Sequence, residues 1–299
     1  IVVTTGRAAA VALLAAALEP AGRTVVLDAP IDRRMPALWS ARGGAVHAVP
    51  RRLENGWRFE IERFEHALQA PSVFAAQLAT PHDPTGLALQ ELEICRLAAA
   101  AERAGIWLLV DESARDLQPG AVLPVAAGLS PRVITLGSLA ETHGLPGLRL
   151  AWLVMRDEAL RARLLACDLA GATRPSVLDE AVALRALRAR GPWREEQQVR
   201  LRLTRETVRR WAAGQGESVS IVVPETDSVA LATLVPLAGA DLDRWHETLR
   251  TAFGLAVAPG ARFGLADHHV RIGYGALSHD DLVMGLAQLG AAVRAFAGG

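Results

Sequence analysis

The chain has 299 residues, 51% of them apolar, enough to bury a large core and a smaller second one. Its 32 basic residues balance 32 acidic ones, which excludes a global basic field for nucleic acid and an acidic tail. Every basic residue is arginine. The sequence holds no lysine, so the chain's own α-amino group is its only primary amine.

Val2–Gly6 reads as a strand end and turn, followed by an apolar helix from about Ala8 to Leu18 that is too short to span a membrane. A glycine between strand and helix leaves free N–H groups at the helix start, which suits an anion, and Arg7 stands beside them. The chain opens on Ile1 rather than Met and shows no signal peptide, which points to a missing N-terminal part. Arg23–Pro30 reads as a buried strand, Arg33–Ala41 as a helix and Ala45–Pro50 as a short strand. Glu60–Ala70 places Ile61, Phe64 and Leu68 on one helical face. Val73–Thr80 is a strand that runs into the turn sequence Pro81-His-Asp-Pro-Thr-Gly86. Leu87–Ala104 follows as a helix. Trp107–Glu112 is a continuous apolar strand, the kind that a parallel sheet covers on both faces. It ends on Asp111, which is able to cap the next turn.

Arg132–Ser138 is a strand leading into the loop Gly137–Trp152, which carries Ser138, Glu141, His143, Gly144, Gly147 and Arg149. Leu148–Val154 continues as a strand; Asp157–Cys167 and Ser176–Arg190 are helices. Pro192-Trp193 enters a long helix to about Ala213, crowded with Arg and Glu, which reads as a solvated face. Strands at Ser218–Pro224 and Ser228–Leu234, a helix at Asp241–Phe253, the segment Val257–Gly264, a strand at His269–Gly275 and a helix at His279–Phe296 complete a smaller α/β unit. The alternation of strands and helices points to a mostly parallel α/β sheet. The division falls at 1–190, a large domain, and 191–299, a small one. Cys95 and Cys167 stand alone in helical patterns and read as buried, reduced thiols of a cytoplasmic protein.

Several of these stretches, in this order, resemble the motifs of the class I/II aminotransferases, the fold-type I enzymes that use pyridoxal phosphate (PLP). Thr4-Thr-Gly-Arg-Ala8 is similar to the family's first phosphate turn, Pro84-Thr-Gly86 to the end of N-P-x-N-P-T-G, and Asp111-Glu-Ser-Ala114 to D-E-A-Y. Ser138, Gly144, Gly147 and Arg149 fall on S-x-S-K-x-x-G-x-x-G-x-R. Val257–Gly264 and His269–Gly275 resemble V-x-P-G-x-x-F-G and V-R-I-S-x. The resemblance implies a PLP-dependent transferase-like fold: a mostly parallel sheet flanked by helices, with a smaller C-terminal α/β domain. It also implies a phosphate held by Ser138, Arg149 and the turn at Arg7 and Ala8. Asp111 would meet the pyridine nitrogen, Asp83 would stand at the phenolic oxygen, and Arg271 would clamp a substrate carboxylate. No metal site is implied. The chain departs from the pattern where the Schiff-base lysine stands, which is Glu141 here. It departs again at Asp83, at Ala114 and after Pro30, where no ring-stacking aromatic follows.

A carboxylate forms no imine, so ordinary amino transfer through a lysine is closed to this sequence. The first reading is a non-catalytic or partner subunit that keeps an anion cup. It would be a homodimer, or a heterodimer with an active aminotransferase-like paralogue. The alternative is a repurposed enzyme in which buried Glu141, its pKa raised, serves as general acid or base with His143 assisting. Any PLP or pyridoxamine phosphate bound would be held non-covalently, and another small anionic or amino-acid-like ligand is the alternative occupant of the cup. A transcriptional regulator of this fold would need a helix-turn-helix that the sequence does not show. No nucleic-acid or membrane partner is expected.

Overall fold

The computed structural model describes residues 1–120, 124–140, 142–167 and 173–297. The first unit runs β1 (Val2–Thr4), α1 (Arg7–Leu18), β2 (Thr24–Ala29), α2 (Arg34–Ser40), β3 (Ala45–Pro50), α3 (Ile61–Leu68), β4 (Val73–Ala79), α4 (Glu91–Ala104), β5 (Trp107–Asp111), β6 (Val133–Ser138), β7 (Ala151–Val154), α5 (Glu158–Cys167) and α6 (Val177–Arg188). Its seven strands lie in the order β1-β7-β6-β5-β4-β2-β3. Strand β7 is antiparallel to both neighbours, and the β6-β5-β4-β2-β3 run is parallel throughout. Continuous apolar strands are what a sheet covered on both faces requires. Alternation then sorts each strand's residues between two layers. In β2, Val25 and Leu27 join the core formed with α1, α2 and α5, while Val26 joins the opposite core formed with α3 and α4.

The chain continues through α7 (Arg190–Gly214), β8 (Val219–Ile221), β9 (Val229–Leu234), α8 (Leu242–Ala252), β10 (Ala258–Pro259), β11 (His269–Gly273) and α9 (His279–Ala297). Four antiparallel strands in the order β10-β11-β9-β8 pack against α7, α8 and α9 around Trp245, Leu249, Tyr274 and Leu286. The mostly parallel α/β architecture expected from the sequence is the one observed, with a smaller sheet following it.

Four local expectations need correction. Helix α4 starts at Glu91 rather than Leu87. Gln90 and Glu93 form a capping box in which Glu93 accepts the Gln90 N–H at 2.6 Å, and the Leu89 N–H donates instead to Thr80 Oγ1 at 3.0 Å. Strand β7 starts at Ala151 rather than Leu148. A 3-10 turn over Pro146–Leu148 and a left-handed Arg149 (φ 46°) intervene. The charged helix α7 is not wholly solvated: Arg205 is buried, with its guanidinium donating to the Asp227 carbonyl at 3.0 and 3.1 Å. Both cysteines are free thiols, but Cys167, the last residue of α5, is exposed and Cys95 is half-buried. Among the described residues no helix is long and apolar enough to cross a membrane, and no cluster of side chains could hold a metal ion.

Strands β2, β4, β5 and β6 all point their carboxyl ends the same way. Ligand crevices in open α/β sheets form at that edge, and there the motif residues converge.

Candidate functional site

A cleft of about 510 Å³ opens at this edge, walled by Thr5–Ala8, Asp32, Arg34, Met35, Asp83, Ser138, Ala140, Pro146 and Arg149, and from the smaller unit by Arg262 and Arg271. Five arginines thus face two aspartates across it. Thr5 and Arg271, at opposite ends of the chain, meet here because the turn after β1, the end of β6 and strand β11 all reach the same sheet edge.

At one end the chain offers donors. Gly6 has φ 95°, a conformation that strains any side-chain-bearing residue, and it turns β1 directly into α1. The first turn of α1 has no side-chain cap and no acidic residue, so its N–H groups and the positive end of the helix dipole face the cleft uncompensated. Ser138 closes β6, buried, and its Oγ accepts the Ala140 N–H at 3.1 Å. Arg149 is held in the left-handed region at φ 46°, a conformation costing a non-glycine residue about 1–2 kcal/mol. That strain sets an exposed guanidinium at the cleft wall.

The other end is internally paired. Asp111 Oδ2 lies 2.7 Å from Arg7 Nη2, and its Oδ1 accepts the Ser113 N–H at 3.0 Å, so it both caps the turn and binds a cation. Both oxygens of Asp83 accept from Arg271 Nη1, at 2.9 and 3.0 Å. Asp32 accepts from Arg34 at 2.7 and 2.9 Å and lies 3.3 Å from Arg262. Burial pushes the Asp32 carboxyl up, but the hydrogen bonds and charge of Arg34, with the charge of Arg262, outweigh it and hold the pKa at about 2. Ala114 lies in the core of the smaller sheet, and no hydroxyl stands at its position.

Behind Asp83 lies a second, fully buried ionic cluster. Arg51 donates to both oxygens of Asp28, at 3.0 and 2.8 Å, and His82 Nε2 lies 3.7 Å from the same carboxylate. His82 Nδ1 is 2.9 Å from Thr85 Oγ1, which ties the turn to itself. Burial, then the charge of Arg51, outweigh Asp28 and Asp83 and lower the His82 pKa to about 4.

The structure gathers Arg7, Ala8, Asp83, Ser138, Arg149 and Arg271 around the cleft, with Asp111 just beneath Arg7. His143 is not among the residues lining it. Its ring faces a separate pocket of about 190 Å³ with Ser113, Asp116 and Arg190, stacked on Trp193 at 6.4 Å. Thr142 Oγ1 lies 2.8 Å from His143 Nδ1 and 3.3 Å from the Ser138 carbonyl, and His143 Nε2 is buried with no hydrogen-bond partner among the described residues. Burial lowers the His143 pKa; the Asp116 carboxylate opposes this and Arg190 reinforces it. Glu141 lies outside the described residues. The sequence reading did not single out Arg34 or Arg262. One signal was available for each: Arg34 follows the carboxyl end of β2 by a few residues, and Arg262 sits inside the Val257–Gly264 motif.

A family model described as aminotransferase class I and II matches residues 1–289. An arginine–pyruvate transaminase of Pseudomonas aeruginosa is 29% identical, over 99% of this chain and 74% of its own length. A capreomycidine synthase of Streptomyces vinaceus is 27% identical, over 89% of this chain and 67% of its own. Among solved structures, the aspartate aminotransferase from Thermus thermophilus with maleate superposes at a TM-score of 0.86 and 24% identity, over 97% of this chain and 75% of that one. That last likeness is one of fold.

Proposed function

The chain belongs to the aminotransferase class I and II family, and from that premise we propose that it holds a phosphate-bearing ligand of the PLP type non-covalently and performs no lysine-dependent amino transfer. One observation carries this reading: a chain without a single lysine keeps an uncompensated anion end in its cleft. The lysine of such a site both forms the imine and moves the substrate's α-proton, and no carboxylate, hydroxyl or guanidinium forms an imine in its place.

The family's cofactor fits one end of the cleft and not the other. A phosphate would meet the first-turn N–H groups of α1, the Ser138 hydroxyl and the Arg149 fork, a donor set suited to a dianion. The residues at the ring and aldehyde end fit poorly. Asp111 already pairs with Arg7, Asp83 with Arg271, and Ala114 offers no hydrogen bond. When bound, PLP supplies an electrophilic aldehyde and an electron-withdrawing ring. What this chain supplies is a place for the phosphate.

Residues 1–190 serve as the ligand-holding domain and 191–299 as the small domain, each with its own sheet and core. The protein acts in the cytoplasm as a homodimer, or as the partner of a lysine-bearing relative; its two free thiols agree with a reducing compartment. Co-purification with a lysine-bearing homologue supports the heteromer, and a homodimer by native mass spectrometry the homomer; a monomer contradicts both. The alternative role for Glu141 and His143 as acid and base gains no support from the cleft, since His143 faces the neighbouring pocket.

Calorimetric titration tests the proposal with pyridoxamine phosphate against pyridoxamine. We expect the phosphate form to bind at least about tenfold tighter, the share of one charge-assisted contact or more. Protein incubated with PLP and amino acids should yield no pyridoxamine phosphate. Sustained conversion would overturn the reading, as would equal binding of the two amines.

A further inference from the structure

We propose that Asp83 closes the carboxylate subsite of the cleft, so that its ligand is a phosphate ester bearing no carboxylate. The proposal rests on the reading that the cleft holds a phosphate, and it names the ligand class.

Five arginines line the cleft. Asp111 pairs with Arg7 at 2.7 Å, Asp32 with Arg34 at 2.7 Å and with Arg262 at 3.3 Å, and Asp83 with Arg271 at 2.9 Å. Among the described residues, Arg149 alone of the five has no carboxylate partner. The cleft therefore presents one uncommitted guanidinium, beside the start of α1, where a ligand with a single anionic group fits.

The state of Arg271 makes the selection specific. A guanidinium seats a carboxylate bidentately on one of two edges, Nη1–Nη2 or Nη2–Nε. Asp83 occupies Nη1 with both of its oxygens. Nε is buried and has no hydrogen-bond partner. Asp83 thus blocks the Nη1–Nη2 edge, and on the Nη2–Nε edge the burial of Nε leaves only Nη2 within reach, so two-point seating is lost on both; the face of Phe263, 5.6 Å from the guanidinium carbon, restricts the side chain further. A ligand carboxylate would have to displace Asp83 or lie beside it as a like charge. A ligand amine or hydroxyl meets no such conflict, because Asp83 accepts from it.

Asp83 is also held in place. The Gly86 N–H donates to the His82 carbonyl at 2.5 Å, and Thr226 Oγ1 donates to the Gly86 carbonyl at 2.7 Å. A Cβ on Gly86 would lie 2.3 Å from the Val229 carbonyl oxygen, so the turn is pressed against the small sheet that carries Arg271. An amide at position 83 would keep the size of the side chain and release the charge.

A matched pair of probes tests this: O-phosphoethanolamine and O-phospho-L-serine, which differ by one carboxylate, titrated calorimetrically with inorganic phosphate as reference. The native protein should bind phosphoethanolamine about tenfold or more tighter than phosphoserine. In Asp83→Asn, phosphoserine should gain about tenfold while phosphoethanolamine does not improve, and adding Arg271→Gln should abolish the gain. Asp83→Ser serves as a second variant, and thermal melting confirms that each is folded. Equal binding of the two probes by the native protein, or no gain in either Asp83 variant, overturns the proposal while the phosphate reading stands. If neither probe nor inorganic phosphate binds native or variant protein, the phosphate reading itself falls, and this proposal with it.

Discussion

The two ends of the cleft use the same side chain in opposite ways. At the Gly6–Ser138–Arg149 end, a strained left-handed residue holds a guanidinium at the wall with no carboxylate against it among the described residues. At the Asp83–Arg271 end, and behind it at Asp28–Arg51, every arginine is closed onto a carboxylate of this chain. Arginine is always charged, so the difference lies in what accompanies it. An uncompensated guanidinium is poised to bind an anion; a paired one is structure. The family's site needs a reactive amine between two anion-binding ends. This chain leaves the Arg149 guanidinium at one end without a carboxylate partner among the described residues, pairs off the other end and has no lysine.

The comparison can be broken first at its most buried point. Asp28→Asn should cost about 3–5 kcal/mol in denaturant unfolding, because Arg51 would remain buried and charged without its partner. Little change would mean that the paired end is not structural. Acidification comes next. His82 is held neutral with a pKa of about 4, below its unfolded value near 6.5, so between those pH values the unfolded chain binds the extra proton. Stability present at pH 7 should fall by about 3 kcal/mol as the pH drops to 4, and His82→Gln should flatten that slope. The lowered pKa of half-buried His269 adds in the same direction. Below pH 4, protonation of Asp32 as its pKa of about 2 is approached removes a further, smaller contribution.

The open end should show the reverse signature, an effect on binding and not on folding. Arg149→Ala should weaken pyridoxamine phosphate by about 10- to 100-fold, the value of a hydrogen-bonded charge, and leave the melting temperature nearly unchanged, since the side chain is exposed and alanine meets the same left-handed backbone cost. The smallest effect belongs to Ser138→Ala, about threefold to tenfold in affinity, because one neutral hydroxyl is lost from the donor set. A large loss of stability in Arg149→Ala would blur the two ends into one.

Much of the fold was legible because its strands are continuous apolar runs and its helices periodic. Ala45–Pro50 falls where the sequence places it, to the residue. The edges that were missed had local causes. The Gln90–Glu93 capping box is a sequence signal that moves the start of α4, whereas the left-handed Arg149 is not, since nothing in the letters around it requires that conformation. The cleft was legible as a set of positions but not as a set of pairs. Asp83 and Arg271 are 188 residues apart, and only the packing of the smaller sheet on the turn at Gly86 brings them to 2.9 Å. The same holds for Arg7 with Asp111, and for His143, whose ring direction is set by Thr142 and Trp193.

The measurement that bears most directly on the central claim is calorimetric titration of native protein and Arg149→Ala with pyridoxamine phosphate and with pyridoxamine. A non-covalent phosphate site requires that the native protein bind the first well and the second weakly, and that Arg149→Ala lose the distinction by weakening only the phosphate form. Binding that is equal for the two amines, or indifferent to Arg149, would contradict it.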